Sequence, residues 1–274
     1  MSSILTNNSA ANALATLKSI NKGLTETQSR VSSGLQVRSG KENAAYFAIS
    51  ETMKGDSGML KAINEGMTAT KNSVATARLG AETVKDLATQ VVERIAFAQS
   101  DGVDTADVQS EIDALVVNMQ SAIDQATFNG DDLVGGAAAT QTVVSGITRA
   151  GGTFATTTIS FDSVDLQAIQ TALDGIDLTT STDLAADLVT AEGQLQNAIS
   201  AATDMGVAEN TLENQMEFLD SLTDTFDSGI GALVDADMEE EAARLQAYQV
   251  QQQLATQSLA IANQGPQNIL SLFR

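Results

Sequence analysis

The sequence contains no histidine, no cysteine and no tryptophan, and these absences remove much of the chemistry by which proteins catalyse reactions. Without imidazole or thiolate there is no Ser-His-Asp triad, no cysteine nucleophile and no Cys/His zinc site. Aromatic residues make up only 4% of the chain, which is poor material for the walls of a ligand pocket. We therefore predict that the protein is not an enzyme and uses no cofactor or metal.

Proline is almost absent as well, since Pro266 is the only one in 274 residues. Proline interrupts helix interiors, so its scarcity permits very long helices. Pro266 itself follows Gly265, and this pair predicts that the last helix stops there. A short apolar tail, residues 269–273, follows it.

Two kinds of targeting segment are also missing from the sequence. The N-terminus has no basic start followed by an apolar run, so we expect no cleavable signal peptide. No stretch of about 18 apolar residues occurs, so we expect no insertion into a membrane.

The net charge of −21 is distributed unevenly along the chain. Residues 1–94 carry 11 Lys and Arg against 8 Asp and Glu, whereas residues 95–274 carry 3 against 27. A nucleic-acid binder would show a basic stripe, so we predict no nucleic-acid partner. The asymmetry suggests that the N-terminal region packs where the acidic C-terminal half offers partners. The acidic run at 235–241 lacks the glycine turns of a calcium loop and favours a helix start, where the dipole stabilises acidic side chains.

Apolar residues at three- and four-residue steps predict long helices at both ends of the chain. The predicted helices cover residues 4–33, about 44–99, 105–127, 183–230 and 235–263, with an irregular link at 34–43. Asp104 or Thr105 and Asp183 are the predicted N-caps of two of them. In the third helix, the predicted apolar face consists of Val108, Ile112, Leu115, Met119 and Ile123.

The middle of the chain has a different character. Short, β-branched segments separated by a Gly-containing turn predict a β-hairpin at about 140–162, followed by a short helix from Asp165. The many Thr and Ser residues of the hairpin either carry O-linked sugars or reflect β-propensity alone, and the sequence does not choose.

The predicted fold is mainly α: a long helical bundle or coiled coil of paired N- and C-terminal segments, with a small β-hairpin module in the middle. The terminal seams are narrow and rich in Ala and Gln, so two such helices would be marginal as a free pair. Many copies packed side by side would bury them, and an ordinary bundle inside one chain is the alternative.

Two segments carry a resemblance to a known family. Residues 30–50, RVSSGLQVRSGKENAAYFAIS, resemble the N-terminal signature of bacterial flagellins. Residues 233–274, which end in NILSLFR, resemble the matching C-terminal signature. The resemblance covers roughly 1–134 and 180–274 and indicates a compact, alphaproteobacterial-type flagellin.

The resemblance implies a structural subunit that polymerises with itself into the extracellular flagellar filament for swimming motility. It implies an inner-tube coiled-coil domain of residues 1–42 and 235–274, and a rod domain of residues 43–180 and 181–234. It also implies export through the flagellar type III apparatus without a cleaved signal peptide. The implied partners are an export chaperone on the C-terminal helix and the hook-associated and cap proteins. A hook–filament junction protein, which shares the export route, is the alternative.

The resemblance also implies roles for individual residues. The inner-tube assembly residues would be Leu14, Leu17, Leu24, Val31, Leu245, Leu254, Leu259, Ile261, Leu270 and Leu272. The link between the inner and outer layers, where subunits touch, would use Arg30, Arg38, Lys41 and Glu42, and the additional Arg38 is expected to form a salt bridge with an acidic neighbour. An innate immune receptor reads the segment at 90–95 in many flagellins, but Val91 stands where those carry Arg, so we expect no strong recognition.

Overall fold

The computed structural model describes residues 7–271, with side chains described up to residue 264. The described residues form helices α1 (Asn8–Ser33), α2 (Ala44–Ala98), α3 (Thr105–Gln125), α4 (Leu166–Asp174), α5 (Leu184–Val234) and α6 (Met238–Ser271). The strands are β1 (Thr127–Phe128), β2 (Asp131–Asp132), β3 (Thr140–Thr148) and β4 (Ala155–Asp162). The prediction of a mainly α fold with a small β-hairpin module is confirmed.

The hairpin pairs β3 and β4 in antiparallel register from Thr140 opposite Asp162 to Thr148 opposite Ala155, with a bulge between Val144 and Gly146. Its turn contains the short 3-10 helix Ala150–Gly152, in which Gly151 and Gly152 adopt positive φ angles that favour glycine. Arg149 fastens this turn to α2 by two bonds to the Asp56 carboxylate, at 2.8 and 2.6 Å.

The chain forms two compact units. The terminal unit consists of the described residues up to Gly55 together with those from Phe226 onward. The middle unit is Asp56–Thr225. Its core is built from α2, α3, α4 and α5, whose largest fully buried side chains include Leu60, Met67, Ile95, Ile112, Met119, Leu166, Leu173, Met205, Leu212 and Leu219.

Polar side chains begin the helices as the sequence indicates. The predicted caps Asp104 and Asp183 accept from the backbone N–H groups of Ala106 and Ala185, at 2.9 and 3.1 Å. Asp237 starts α6 in the same way by accepting from Glu239, at 3.0 Å. Such caps satisfy donors that a helix N-terminus otherwise leaves unpaired. The acidic run therefore begins a helix as predicted, and no group of acidic side chains in the described residues is arranged to hold a metal ion.

Two local predictions are wrong. In α3 the buried residue is Val116, whereas Leu115 is only half-buried, because the seam takes a four-residue step from Ile112 and then a three-residue step to Met119. The helix stop at Pro266 is not observed, since α6 continues to Ser271. A proline removes one helix hydrogen bond, and the carbonyl of Ala262, four residues earlier, accepts a bond from outside the helix instead.

Within residues 7–271, none of the helices combines the length and apolar character needed to cross a membrane.

Two glycines of α2 predict opposite effects of the same substitution. A Cβ at Gly80 would lie 2.5 Å from the Cβ of Ala126, whereas a Cβ at Gly66 would meet nothing within 4 Å. Gly66→Ala should stabilise the protein by roughly 0.5–1 kcal/mol, because alanine loses less backbone entropy than glycine in a helix. Gly80→Ala should destabilise it by about 1–3 kcal/mol through overpacking. Thermal unfolding of the two variants beside the parent protein checks both signs, and equal stabilisation would contradict the close contact.

Candidate assembly surface

Helices α1 and α6 pair in the terminal unit along one antiparallel register. Asn21 accepts a bond from the Gln252 side chain at 2.7 Å. Two residues further along α1, Gly23 lies under the ring of Tyr248, and a Cβ at Gly23 would lie 2.7 Å from Cζ of that ring. Glycine therefore lets the aromatic ring approach the backbone of α1, and a larger residue would force the ring to shift.

A buried carboxylate marks one end of this helix pair. Glu241, only 4% exposed, accepts from Arg30 of α1 at 3.4 Å and from Arg244 of its own helix at 3.2 Å. A charge removed from water is costly unless it is paired and hydrogen-bonded. Glu241 therefore favours the one helix arrangement that places Arg30 beside it.

The link after α1 is fastened to the end of α5. Leu35 bridges to Asp235, and the N–H groups of Gln36 and Val37 donate to the carbonyl of Val234 at 2.7 and 3.3 Å. Buried Val37, Ile230 and Val234 form a small core, against which Leu35, Phe47, Met53 and Leu233 pack. Residues 34–43 are thus irregular, as predicted, but they are held by specific contacts.

Two charged residues of the link, Arg38 and Glu42, pair with each other inside the chain. Arg38 binds Glu42 at 2.7 Å and also contacts Ser29, and the N–H of Arg38 donates to the same carboxylate at 2.7 Å. These bonds hold the pKa of Glu42 below its usual value. The bond from the backbone N–H of Arg38 has the largest effect, and the bond from the Arg38 side chain comes next. Lys41 is exposed.

Helix α6 presents a second apolar stripe on its other side. Val250, Leu254 and Ile261 are 56%, 59% and 70% exposed. At 3.6 residues per turn they lie within about 40° of one another and roughly 150° around the helix from Glu241, Tyr248 and Gln252. Exposed Ala243 and Ala247 extend the same stripe. We call Ala243, Ala247, Val250, Leu254 and Ile261 the outer stripe.

The residues predicted for assembly fall into two groups. Leu17, Leu24, Val31, Leu245 and Leu259 are half-buried, whereas Leu14, Leu254 and Ile261 are exposed. The side chain of Leu270 and the whole of Leu272 lie outside the described residues, as do the side chains of the apolar tail.

Sequence reasoning did not single out several residues that position this pair. Asn7, Gly23, Thr27, Tyr248 and Gln252 are among them; Thr27 is buried, and the other four each contact the opposite helix. A mid-helix glycine in α1 and the sole aromatic residue of α6 within 238–264 were the available signals. Val91, because of which we expect no strong recognition by an immune receptor, is fully buried in α2.

Comparisons with known proteins match both ends of the chain. Residues 4–139 match the bacterial flagellin N-terminal helical region, and residues 188–273 match the bacterial flagellin C-terminal helical region. The chain belongs to the bacterial flagellin family. As such it is a structural subunit of the flagellar filament, which serves swimming motility. The unmatched residues between the two regions hold the hairpin and α4.

Curated relatives resemble this flagellin over its whole length. It is 37% identical to a flagellin of Brucella melitensis, with 100% of both chains covered. Flagellin C of Rhizobium meliloti is 33% identical, again over 100% of both chains. Flagellin FljM of Caulobacter vibrioides is 32% identical over 100% of this chain and 99% of its own. The family is structural, and its members form an extracellular filament.

A solved structure shares the fold. The structure of a putative flagellar hook-associated protein from Vibrio parahaemolyticus matches with a TM-score of 0.50, covering 71% of this chain and 100% of that one. At 12% identity this likeness shows the fold alone.

The buried carboxylate of α6 generates a prediction with a neighbouring control. Glu241→Gln should lower the temperature at which filaments depolymerise, because Arg30 loses its charged partner, at a cost of about 1–3 kcal/mol. Glu240→Gln is the control, because Glu240 is exposed and its carboxylate accepts from Arg244 of the same helix. Circular dichroism of assembled filaments during heating measures both. Equal behaviour of the two variants would contradict the role given to Glu241.

The pKa of Glu42 generates a pH prediction. Because the folded protein lowers this pKa, the ionised Glu42 stabilises the link above the usual glutamate pKa, and this contribution is lost as pH falls through the lowered value. Glu42→Gln should therefore have a lower melting temperature than the parent protein at neutral pH. The difference between the two melting temperatures should become smaller in acid. Melting temperatures at pH 7 and pH 3 check this. A difference that is independent of pH would show that ionisation of Glu42 has no effect.

Proposed function

We propose that residues 1–42 and 235–274 form the inner tube of the filament, and that residues 43–180 and 181–234 form the rod around it. Neighbouring copies make contact through Leu14, Leu17, Leu24, Val31, Leu245, Leu254, Leu259, Ile261, Leu270 and Leu272. Arg30, Arg38, Lys41 and Glu42 lie where subunits meet between the layers. The single observation that carries this proposal is the outer stripe of α6.

The outer stripe supports assembly because a helix with apolar residues on two opposite sides needs two partners. Helix α1 covers the side that carries Tyr248 and Ala255, of which Ala255 is 9% exposed. Leu254 and Ile261 remain in water in the isolated chain. Burying each of them against a second copy would contribute about 1.5–3 kcal/mol at most.

Charge supports the same surface. Residues 245–264 contain no Asp, Glu, Lys or Arg, although the chain as a whole has a net charge of −21. Strong net charge keeps copies apart by self-repulsion. The neutral part of α6 is where copies can approach without that repulsion.

The same apolar helix would need cover before assembly. We propose that an export chaperone holds α6 during flagellar type III export, which proceeds without a cleaved signal peptide. Hook-associated and cap proteins would contact the assembled ends, and the protein would carry out no catalysis. Masking an amphipathic helix in a partner's apolar groove is a common mode of recognition.

Seeded elongation tests the role of the outer stripe. The double variant Leu254→Gln, Ile261→Gln should raise the critical concentration for elongation of wild-type seeds by on the order of tenfold or more, since each tenfold equals about 1.4 kcal/mol. The conservative pair Leu254→Met, Ile261→Val keeps apolar surface of similar size and should elongate nearly as the parent does.

Two further measurements make this test decisive. The melting of the middle unit should be unchanged in the polar double variant, because Leu254 and Ile261 belong to the terminal unit and not to the core of residues 56–225. Removal of residues 235–274 should abolish elongation. If the polar double variant elongates with the parent's critical concentration, the outer stripe is not an assembly contact.

A further inference from the structure

A proline inside α6 leaves one carbonyl without its helical donor. In an α-helix the N–H of residue i+4 donates to the carbonyl of residue i, and the donor for Ala262 would come from residue 266. Residue 266 is proline, which has no N–H. The helix nevertheless continues to Ser271. An unpaired carbonyl at a helix interface is costly, so another donor is expected at this position.

The missing donor comes from the start of α1. The side-chain nitrogen of Asn7, Nδ2, donates to the Ala262 carbonyl at 2.8 Å. The same side chain begins α1, because its oxygen, Oδ1, accepts from the N–H of Ala10 at 3.0 Å. The backbone carbonyl of Asn7 accepts from Ala11, also at 3.0 Å. One amide group therefore serves both helices.

The chemistry of these partners fixes the orientation of the amide. The oxygen faces a donor, the Ala10 N–H, and the nitrogen faces an acceptor, the Ala262 carbonyl. The reversed orientation would oppose like groups at both contacts. Asparagine is thus the side chain of this length that offers an acceptor to one helix and a donor to the other. Aspartate offers only acceptors.

We propose that Asn7 and Pro266 form a register lock for the pairing of α1 and α6. Pro266 frees a carbonyl at one position of α6 only, and the N-cap of α1 is the group that occupies it. Sliding α1 by one helical turn would place Asn7 opposite a carbonyl that already has its helical donor. The lock thus favours the same antiparallel register as the pairs Asn21–Gln252 and Arg30–Glu241. An elongation assay can detect the register lock because α1 and α6 are proposed to take part in assembly, so this test rests on the proposed function.

The test is a rescue in which Pro266→Ala restores the missing N–H. Asn7→Asp keeps the cap of α1 but removes the donor, so it should raise the critical concentration for elongation by about fivefold, the effect of one net hydrogen bond. In the Pro266→Ala background Asn7→Asp should have little effect, because residue 266 then donates to Ala262 itself.

Asn21→Asp is the matched control, with the same substitution on the same helix. Asn21 uses its oxygen to accept from Gln252, which aspartate preserves. It should therefore be tolerated equally in both backgrounds. If Asn7→Asp raises the critical concentration equally in the Pro266→Ala background, its effect does not depend on the Ala262 carbonyl. This result would overturn the register lock.

Hydrogen exchange of the first turns of α1 in assembled filaments provides a readout independent of elongation. Asn7→Asp should accelerate this exchange with Pro266 present and not with Ala at 266. Equal exchange in the parent and in Asn7→Asp would also overturn the register lock. If exchange responds while the critical concentration does not, the lock holds and the proposed role of these helices in assembly fails.

Discussion

Helix α6 has apolar residues on two opposite sides, and the terminal unit depends on how this constraint is met. One side packs on α1 through Tyr248, Ala255 and the half-buried Leu245 and Leu259. The other side is the outer stripe, which the chain itself leaves in water. Helices as weakly apolar as α1 are marginal when isolated, so tertiary contacts must supply most of their stability. Under the proposed assembly, a subunit built in this way would gain its full set of contacts beside other copies.

Polar contacts determine the register in which α1 and α6 pair. The small apolar seam between the two helices would not determine this register by itself. Helix α6 is rich in alanine and glutamine, and such side chains offer little apolar shape by which one register could be selected. The buried Glu241 removes that freedom, because any register that moves Arg30 away leaves its carboxylate with fewer partners. Gly23 acts in the same direction through shape, since a Cβ at this position would force the ring of Tyr248 to shift. Such polar devices fix register in other paired helices as well.

The sequence predicted the helices and their seams well because these depend on local periodicity. Hydrophobic spacing located α2 and α3, and short polar residues located the caps Asp104 and Asp183. The domain boundaries and the assembly residues remain predictions. What local patterns did not show are contacts between residues far apart in the chain, such as Asn7 with Ala262 or Asp56 with Arg149. Pro266 illustrates the difficulty. Its local sequence predicts a helix stop, but the helix continues past it to Ser271.

The uneven charge of the chain has a structural counterpart in both units. Basic residues of the N-terminal third pair with acidic residues of the C-terminal half: Arg30 with Glu241, Lys71 with Glu213 and Arg78 with Glu209. The hydrogen bonds that Arg78 donates to Glu209 and Glu82 raise the pKa of Arg78, so this pairing favours its charged form. Acidic residues outnumber basic ones by 35 to 14, so the basic side chains cannot neutralise all of the acidic charge. The remaining acidic charge opposes close approach of copies wherever it faces solvent. The uncharged stretch of α6 at 245–264 is free of that opposition, and it carries the exposed Leu254 and Ile261. Charge and apolar exposure, which arise from independent features of the sequence, thus favour the same surface for contact between subunits.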